Sequence, residues 1–137
     1  MKNYIFINLS NHPSNTWSNK QKSTVKEKYG TETIIDIPFP DIDPEWNLDK
    51  VRTLVHSYKD EIINHFHDKN DWIILHVMGE MSFTHALVNM MSAYKTTCIC
   101  STTKRKVITE YDKLGFETGK QVTFEFCKFR DYYYSEY

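Results

Sequence analysis

The feature that most constrains the fold of this chain is an alternation of short apolar segments with helical patterns over the first hundred residues. Apolar segments at residues 4–9, 33–39, 72–78 and 96–101 predict four strands. The run at 72–78 is almost continuously apolar, which is typical of a central parallel strand buried on both faces. Because strands and helices alternate, we expect right-handed crossovers and a parallel sheet.

The segments between these strands carry helix signals. Ser18 and Gln21 form a capping-box pattern, with Ser18 as the cap and Gln21 reaching back, and this first helix should stop at Gly30. Apolar residues at spacings of three and four predict a helix from Leu48 to His67. A third amphipathic helix follows Gly79.

After Arg105 the pattern changes to two alternating segments, 106–111 and 122–129, which predict an antiparallel hairpin. The expected fold is therefore α/β, a Rossmann-like three-layer sandwich with a mainly parallel sheet and a C-terminal antiparallel hairpin. We expect one domain over residues 1–137, with the parallel core at about 1–105 and the hairpin and tail at 106–137.

Composition excludes several classes of partner. The formal net charge of −1 gives no overall attraction to nucleic acid or to an anionic membrane, so an anionic ligand needs a local cluster of cations. The apolar start is too short for a signal peptide, and no apolar run approaches the ~20 residues of a membrane helix. Three cysteines without framework spacing indicate reduced thiols and a cytoplasmic protein.

Three predicted loops, at residues 8–17, 76–84 and 101–105, follow strands of the parallel sheet. The crevice outside the carboxyl ends of such strands is the usual ligand site of this architecture. Together the loops offer hydroxyls, amides, two adjacent cations and a carboxylate, a set that suits phosphate and ribose. No cofactor is expected, because the glycine-rich dinucleotide and Walker patterns are absent.

The third loop carries the clearest signal. Thr102 and Thr103 supply hydroxyl groups, Lys104 supplies a mobile point charge, and Arg105 supplies a planar fork for phosphate. A solvated turn that merely precedes the hairpin is the alternative interpretation.

The second loop is open to two interpretations. Gly79 would let a ligand approach the backbone, and the first-turn amides near Glu80 and Ser82 could receive an anion. Glu80 could equally complement the helix dipole, and Ser82 could be an ordinary first-turn hydroxyl.

The histidines give weaker signals. His12, in the first loop, could act as an acid or base near neutral pH, or be an ordinary surface residue. His76 is expected to pack near the sheet, and no metal site is expected. The order of residues supports no Ser–His–Asp arrangement. Trp17 could stack on a base or anchor its loop.

These segments bear a family resemblance. His12-Pro13 followed by Trp17 and Gln21 after a first strand resembles the start of small CRISPR-associated Rossmann-fold (CARF) proteins and ring nucleases. The strand–Gly79–Glu80–helix segment and the turn at 101–105 are placed as the ligand loops of that group are. The resemblance covers roughly residues 4–105.

The resemblance implies binding of cyclic oligoadenylate, a defence second messenger, across a two-fold homodimer. It further implies metal-independent cleavage, in which a ribose 2′-hydroxyl attacks the neighbouring phosphate and a 2′,3′-cyclic phosphate forms. By position, Lys104 or Arg105 would stabilise the charge on phosphorus. The other implied contacts are Ser10, Asn11 and His12 to ribose or phosphate, Gly79, Glu80 and Ser82 in the central pocket, and Thr102 and Thr103 near the scissile phosphates.

Three other functions stay open at this stage. One is a non-catalytic sensor or sponge for a cyclic nucleotide, and another is a Rossmann enzyme acting on an NAD- or ADP-ribose-like ligand. The third is a purely structural interaction protein. Ring size, turnover and the dimer interface do not follow from the sequence.

Overall fold

The strand–helix alternation expected from the sequence is present in the computed structural model, which describes residues 3–66 and 71–134. Within these ranges the chain forms five strands and three α-helices. In chain order they are β1 (Asn3–Ser10), α1 (Asn19–Tyr29), β2 (Ile34–Asp36), α2 (Leu48–Phe66), β3 (Asp71–Met78), α3 (Met81–Met91), β4 (Thr96–Tyr111) and β5 (Glu117–Asp131).

The strands form one sheet in the order β2-β1-β3-β4-β5. The pairings among β2, β1, β3 and β4 are parallel, and β5 pairs antiparallel with β4. After β1 the chain forms β2 on one side of that strand and then β3 on the other side. The direction in which strands are added therefore reverses at β1 and β3. Such a switch point opens a crevice at the carboxyl ends of the two strands.

Helices cover both faces of the sheet, which confirms the three-layer α/β class. Side chains alternate along the strands, so that Phe6 faces α1 and the hairpin while Ile7 faces α2 and α3. On β3, Ile74 lies on the same face as Phe6, and Leu75 lies on the same face as Ile7. Two apolar cores result, one on each face.

Helix α1 begins and ends where the sequence indicates. The Ser18 hydroxyl accepts a hydrogen bond from the backbone N–H of Gln21 at 3.2 Å, and Gly30 ends the helix with φ of 73°. The Gln21 side chain does not reach back to the cap, which corrects the second half of the capping-box prediction. It reaches across to Ser101 instead. Helix α2 agrees with its prediction, and His67 lies outside the described residues.

The second strand is shorter than predicted, because residues 37–39 leave the ladder at Pro38, which has no N–H to donate. The larger correction concerns residues 101–105. The predicted loop is continuous strand within β4, and the hairpin begins at Ile99 rather than at Lys106. Strand β5 provides backbone partners along this whole segment, with a register shift between Thr102 and Thr103.

Among the described residues, no helix is long and apolar enough to cross a membrane.

Candidate functional site

A cavity of about 500 Å³ opens at the carboxyl ends of β1 and β3, beside the middle of β4, on the α1 side of the sheet. We refer to it as the strand-end cavity. Its lining residues are Ser10, His12, Thr16, Trp17, Ser18, Gln21, His76, Met78, Ser101, Thr103, Phe124 and Phe126. The cavity lies beside the switch point between β1 and β3, where the register brings Ser10 opposite Met78.

The wall of this cavity is organised by the buried amide of Asn8. Its Nδ2 group donates to the His12 carbonyl oxygen at 2.9 Å and to Asp36 Oδ1 at 2.8 Å. With both amide hydrogens used, Asn8 Oδ1 is the acceptor for the Ser10 hydroxyl, 2.8 Å away. The same oxygen lies 2.9 Å from His76 Nδ1.

These contacts determine the protonation of His76, which is almost fully buried on β3. Because Asn8 Oδ1 only accepts, Nδ1 of His76 carries a hydrogen. Burial, together with the charge of nearby His12, lowers the pKa of His76 to about 4. The ring is therefore neutral at pH 7, and its Nε2 carries no hydrogen and can only accept a hydrogen bond.

Ser101 on β4 completes the chain of hydrogen bonds. Its hydroxyl donates to His76 Nε2 at 2.7 Å and accepts from Gln21 Nε2 at 3.0 Å. A serine oxygen has two acceptor lone pairs, so one stays available after the contact with Gln21. Ser101 is half-buried and lines the cavity.

Asp36, at the end of β2, supports this network from behind. Burial would raise the pKa of its carboxyl group, but hydrogen bonds from Ser14 and Asn8 outweigh that effect and hold the pKa below its usual value. Asp36 is therefore a stable anion that orients the Asn8 amide.

Aromatic rings form the rest of the wall. Trp17 meets the His76 ring edge-on with 5.0 Å between centroids, and its indole N–H donates to the His12 carbonyl at 3.0 Å. Trp17 is buried, so it anchors the first loop. Phe124 and Phe126 reach the cavity from β5.

Residues 102–105, which belong to the predicted third loop, are divided by the strand pairing between the two faces of the sheet. Thr103 lines the cavity, and Arg105 shares its face because it lies two residues further along β4 and opposite Phe124. Thr102 and Lys104 point to the other face, where the Thr102 hydroxyl donates to the Lys128 carbonyl at 3.1 Å.

The first loop brings Ser10 and His12 into the cavity, whereas Asn11 is exposed and outside its lining. Ser10 is buried, and its hydroxyl also accepts a hydrogen bond from the backbone N–H of His12 at 3.3 Å. Of the three predicted contacts in this loop, two therefore lie at the site.

The second loop lies apart from the strand-end cavity. Glu80 caps α3: its carboxylate accepts hydrogen bonds from the backbone N–H groups of Ser82 and Phe83 and from the Ser82 hydroxyl, at 2.6–3.0 Å. The Ser82 contact is the main cause of the lowered pKa of Glu80.

Gly79 borders a separate cavity of about 350 Å³ beside α3. A Cβ atom at Gly79 would lie 2.3 Å from the Phe39 ring, so the absence of a side chain there serves packing.

Sequence reasoning missed Asn8 and Ser101 as partners of His76, and the reach of Gln21. One signal was present: Asn8 and His76 are polar residues inside otherwise apolar strands, and they lie opposite each other in the register. When two adjacent parallel strands each carry a polar residue in an otherwise apolar segment, and the two residues lie opposite each other, a hydrogen bond between them is predicted, since buried polar groups need partners.

Across residues 3–66 and 71–134, no three His, Cys, Asp or Glu side chains cluster as metal ligands would.

The sequence matches the family model described as the Uncharacterized protein MJ1673 family over residues 4–130. The chain belongs to this family. The matched range contains every residue that lines the strand-end cavity. No curated protein and no solved structure matches the chain.

Proposed function

We propose that the strand-end cavity binds an anionic nucleotide, with cyclic oligoadenylate as the leading ligand. The observation that carries this proposal is the convergence of Ser10, His12, Ser101 and Thr103 in one cavity, with Arg105 two residues beyond Thr103 on the same face of the hairpin. Aromatic rings suit the faces of adenine bases, and hydroxyl groups suit ribose.

The proposed reaction is metal-independent cleavage of the ring. A ribose 2′-hydroxyl attacks the adjacent phosphorus, the 5′ oxygen leaves, and a 2′,3′-cyclic phosphate forms. The imidazole of His12 is exposed at the cavity and is the proposed proton-transfer group. Of the two adjacent cations, Arg105 is the better placed to stabilise the charge that develops on the phosphate.

We further propose that the protein is cytoplasmic and forms a homodimer through the hairpin. Its cysteines are free thiols, as a reducing compartment requires. Strand β5 is an edge strand of 15 residues, and its Val122 and Phe124 form an exposed apolar stripe with Val107 of β4 on one face of the hairpin. A second copy offers the same stripe, and a two-fold axis would bury both.

The test is to incubate purified protein with cyclic tri-, tetra- and hexa-adenylate in EDTA and to resolve the products by chromatography. Thermal shift with each ring measures binding separately. Arg105→Ala should weaken binding about 10- to 100-fold, as expected for a lost charge-assisted hydrogen bond. Lys104→Ala is the matched control and should leave affinity within about twofold, because it removes a cation from the opposite face.

The outcomes separate the alternatives. A thermal shift without products indicates a non-catalytic sensor or sponge, and competition by mono- or dinucleotides but not rings indicates an NAD- or ADP-ribose-like ligand. Intact rings together with no shift for any of them would contradict both binding and cleavage.

A further inference from the structure

The hydrogen-bonded chain Asn8–His76–Ser101 has the arrangement of a nucleophile, a base and a group that orients the base. We propose that Ser101 is a nucleophilic serine that accepts an acyl group from a small uncharged ester, with His76 as its base and Asn8 as a positioning residue. This activity goes beyond the proposed function, because the attacking oxygen belongs to the protein and not to a ribose.

The two hydrogen-bond distances match those of such a centre. Ser101 Oγ lies 2.7 Å from His76 Nε2, and His76 Nδ1 lies 2.9 Å from Asn8 Oδ1. Both distances are within the reach expected between a nucleophile, its base and the group that orients the base.

The direction of each hydrogen bond is also determined. The two donors of Asn8 are occupied by the His12 carbonyl and Asp36, so its oxygen must face His76. His76 therefore holds its hydrogen on Nδ1 and offers Nε2 to the serine proton. Gln21 donates to Ser101 Oγ and holds it at the cavity wall, which leaves a lone pair for attack.

An uncharged substrate fits the lining itself, whereas the phosphates of the proposed nucleotide would extend beyond it to Arg105 on the same face. The described residues that line the cavity include no Lys, Arg, Asp or Glu, and Trp17, Phe124 and Phe126 give it aromatic walls. A volume of about 500 Å³ is enough for a small aryl or alkyl ester.

The step balances without a co-reactant other than water. Ser101 Oγ forms a bond to the carbonyl carbon, its proton moves to His76 Nε2, and the bond to the leaving alkoxide breaks as that proton is passed to it. Water then attacks the acyl carbon and gives its proton to His76 Nε2. The bond from that carbon to Ser101 Oγ breaks, His76 passes the proton to Oγ, and the carboxylic acid leaves.

The test uses diisopropyl fluorophosphate, an uncharged probe that phosphorylates a serine with an adjacent base as the P–F bond breaks. Peptide mass spectrometry should find one adduct, on Ser101, and Ser101→Ala should abolish it. His76→Gln should slow labelling at least tenfold. Ser82→Ala is the matched control, since Ser82 is an exposed serine outside the cavity, and it should label as the wild type does.

A second measurement needs no variant and covers the case in which His76→Gln does not fold. The wild-type labelling rate should be constant from pH 8 to about pH 5 and fall by half near pH 4, as His76 becomes protonated. The charged or titratable groups that face this ring are His12 from the first loop and, through Asn8, Asp36 from β2. Hydrolysis of p-nitrophenyl acetate should show an initial burst of one equivalent.

Absence of an adduct on Ser101 would overturn the proposal, and so would equal labelling of His76→Gln and wild type. A network that is only structural would leave Ser101 unlabelled at every pH at which the protein is folded. Since the probe is not a nucleotide, this result is independent of any outcome with cyclic oligoadenylate.

Discussion

A neutral histidine buried in the sheet makes the stability of this protein depend on pH. The pKa of His76 is about 4 in the folded chain and about 6.5 in the unfolded chain. Between these values only the unfolded chain binds a proton at this site, so stability is complete above pH 6.5 and is lost as the pH falls toward 4. The loss should be about 3 kcal/mol in total, at 1.36 kcal/mol per pKa unit.

Urea denaturation at half-unit steps from pH 7.5 to 4.5 measures this loss. His76→Gln removes the titrating ring and should flatten the dependence of the unfolding free energy on pH in that window. His85→Gln, on the exposed surface of α3, is the control and should follow the wild-type curve. Parallel curves for wild type and His76→Gln would contradict the prediction.

At the scale of elements, the junction between β3 and α3 depends on one glycine. A Cβ atom at Gly79 would lie 2.3 Å from the ring of Phe39, which itself packs edge-on against Phe83 at 5.3 Å between centroids. Gly79→Ala should therefore destabilise the fold by about 1–3 kcal/mol, the usual cost of overpacking. The midpoint of urea unfolding measures the loss.

A double-mutant cycle identifies the cause. Phe39→Leu in the Gly79→Ala background should recover part of the lost stability, because the smaller side chain leaves room for the new methyl group. Gly119→Ala is the control, since the nearest atom to its Cβ would be 4.0 Å away, and it should change stability by less than about 0.5 kcal/mol. Additive effects of the Gly79 and Phe39 changes would exclude the steric explanation.

The sequence predicts elements whose signals are local. The apolar run at 72–78 and the caps at Ser18 and Gly30 are read within a few residues, and each matches the structure. Residues 101–105 could not be assigned in this way, because their strand depends on pairing with β5, some 25 residues further along. The hydrogen bond from Gln21 to Ser101 joins residues 80 positions apart, so no pattern within a few residues predicts it.

In the candidate site, too, some features have a local sequence signal and others depend on contacts between distant residues. The carboxyl ends of the strands are the predicted ligand site, and Ser10 and His12, at the end of β1, share one cavity with Thr103 from within β4. The Asn8–His76–Ser101 chain draws one residue from each of three strands, so it exists only once the strand order is known. Topology, rather than any motif, brings these side chains together.

At the scale of the whole molecule, the hairpin gives the sheet an edge with two unlike faces. Val107 and Val122 are paired across β4 and β5 and are 47% and 43% exposed on the face that continues to Arg105 and Phe124. On the opposite face, Lys106 forms an ion pair with Glu125 at 2.9 Å, and Ile108 is 51% exposed among polar neighbours. The apolar face is the one that a second copy would cover in the proposed homodimer.

The two faces allow a matched test by sedimentation equilibrium. Val122→Glu places a charge at the centre of the apolar stripe and should raise the dimer dissociation constant at least tenfold, because burying an unpaired carboxylate costs well over 1.4 kcal/mol. Ile108→Glu introduces the same charge at similar exposure on the other face and should leave the dimer intact. A wild-type monomer, or equal effects of the two substitutions, would contradict an interface on the apolar face.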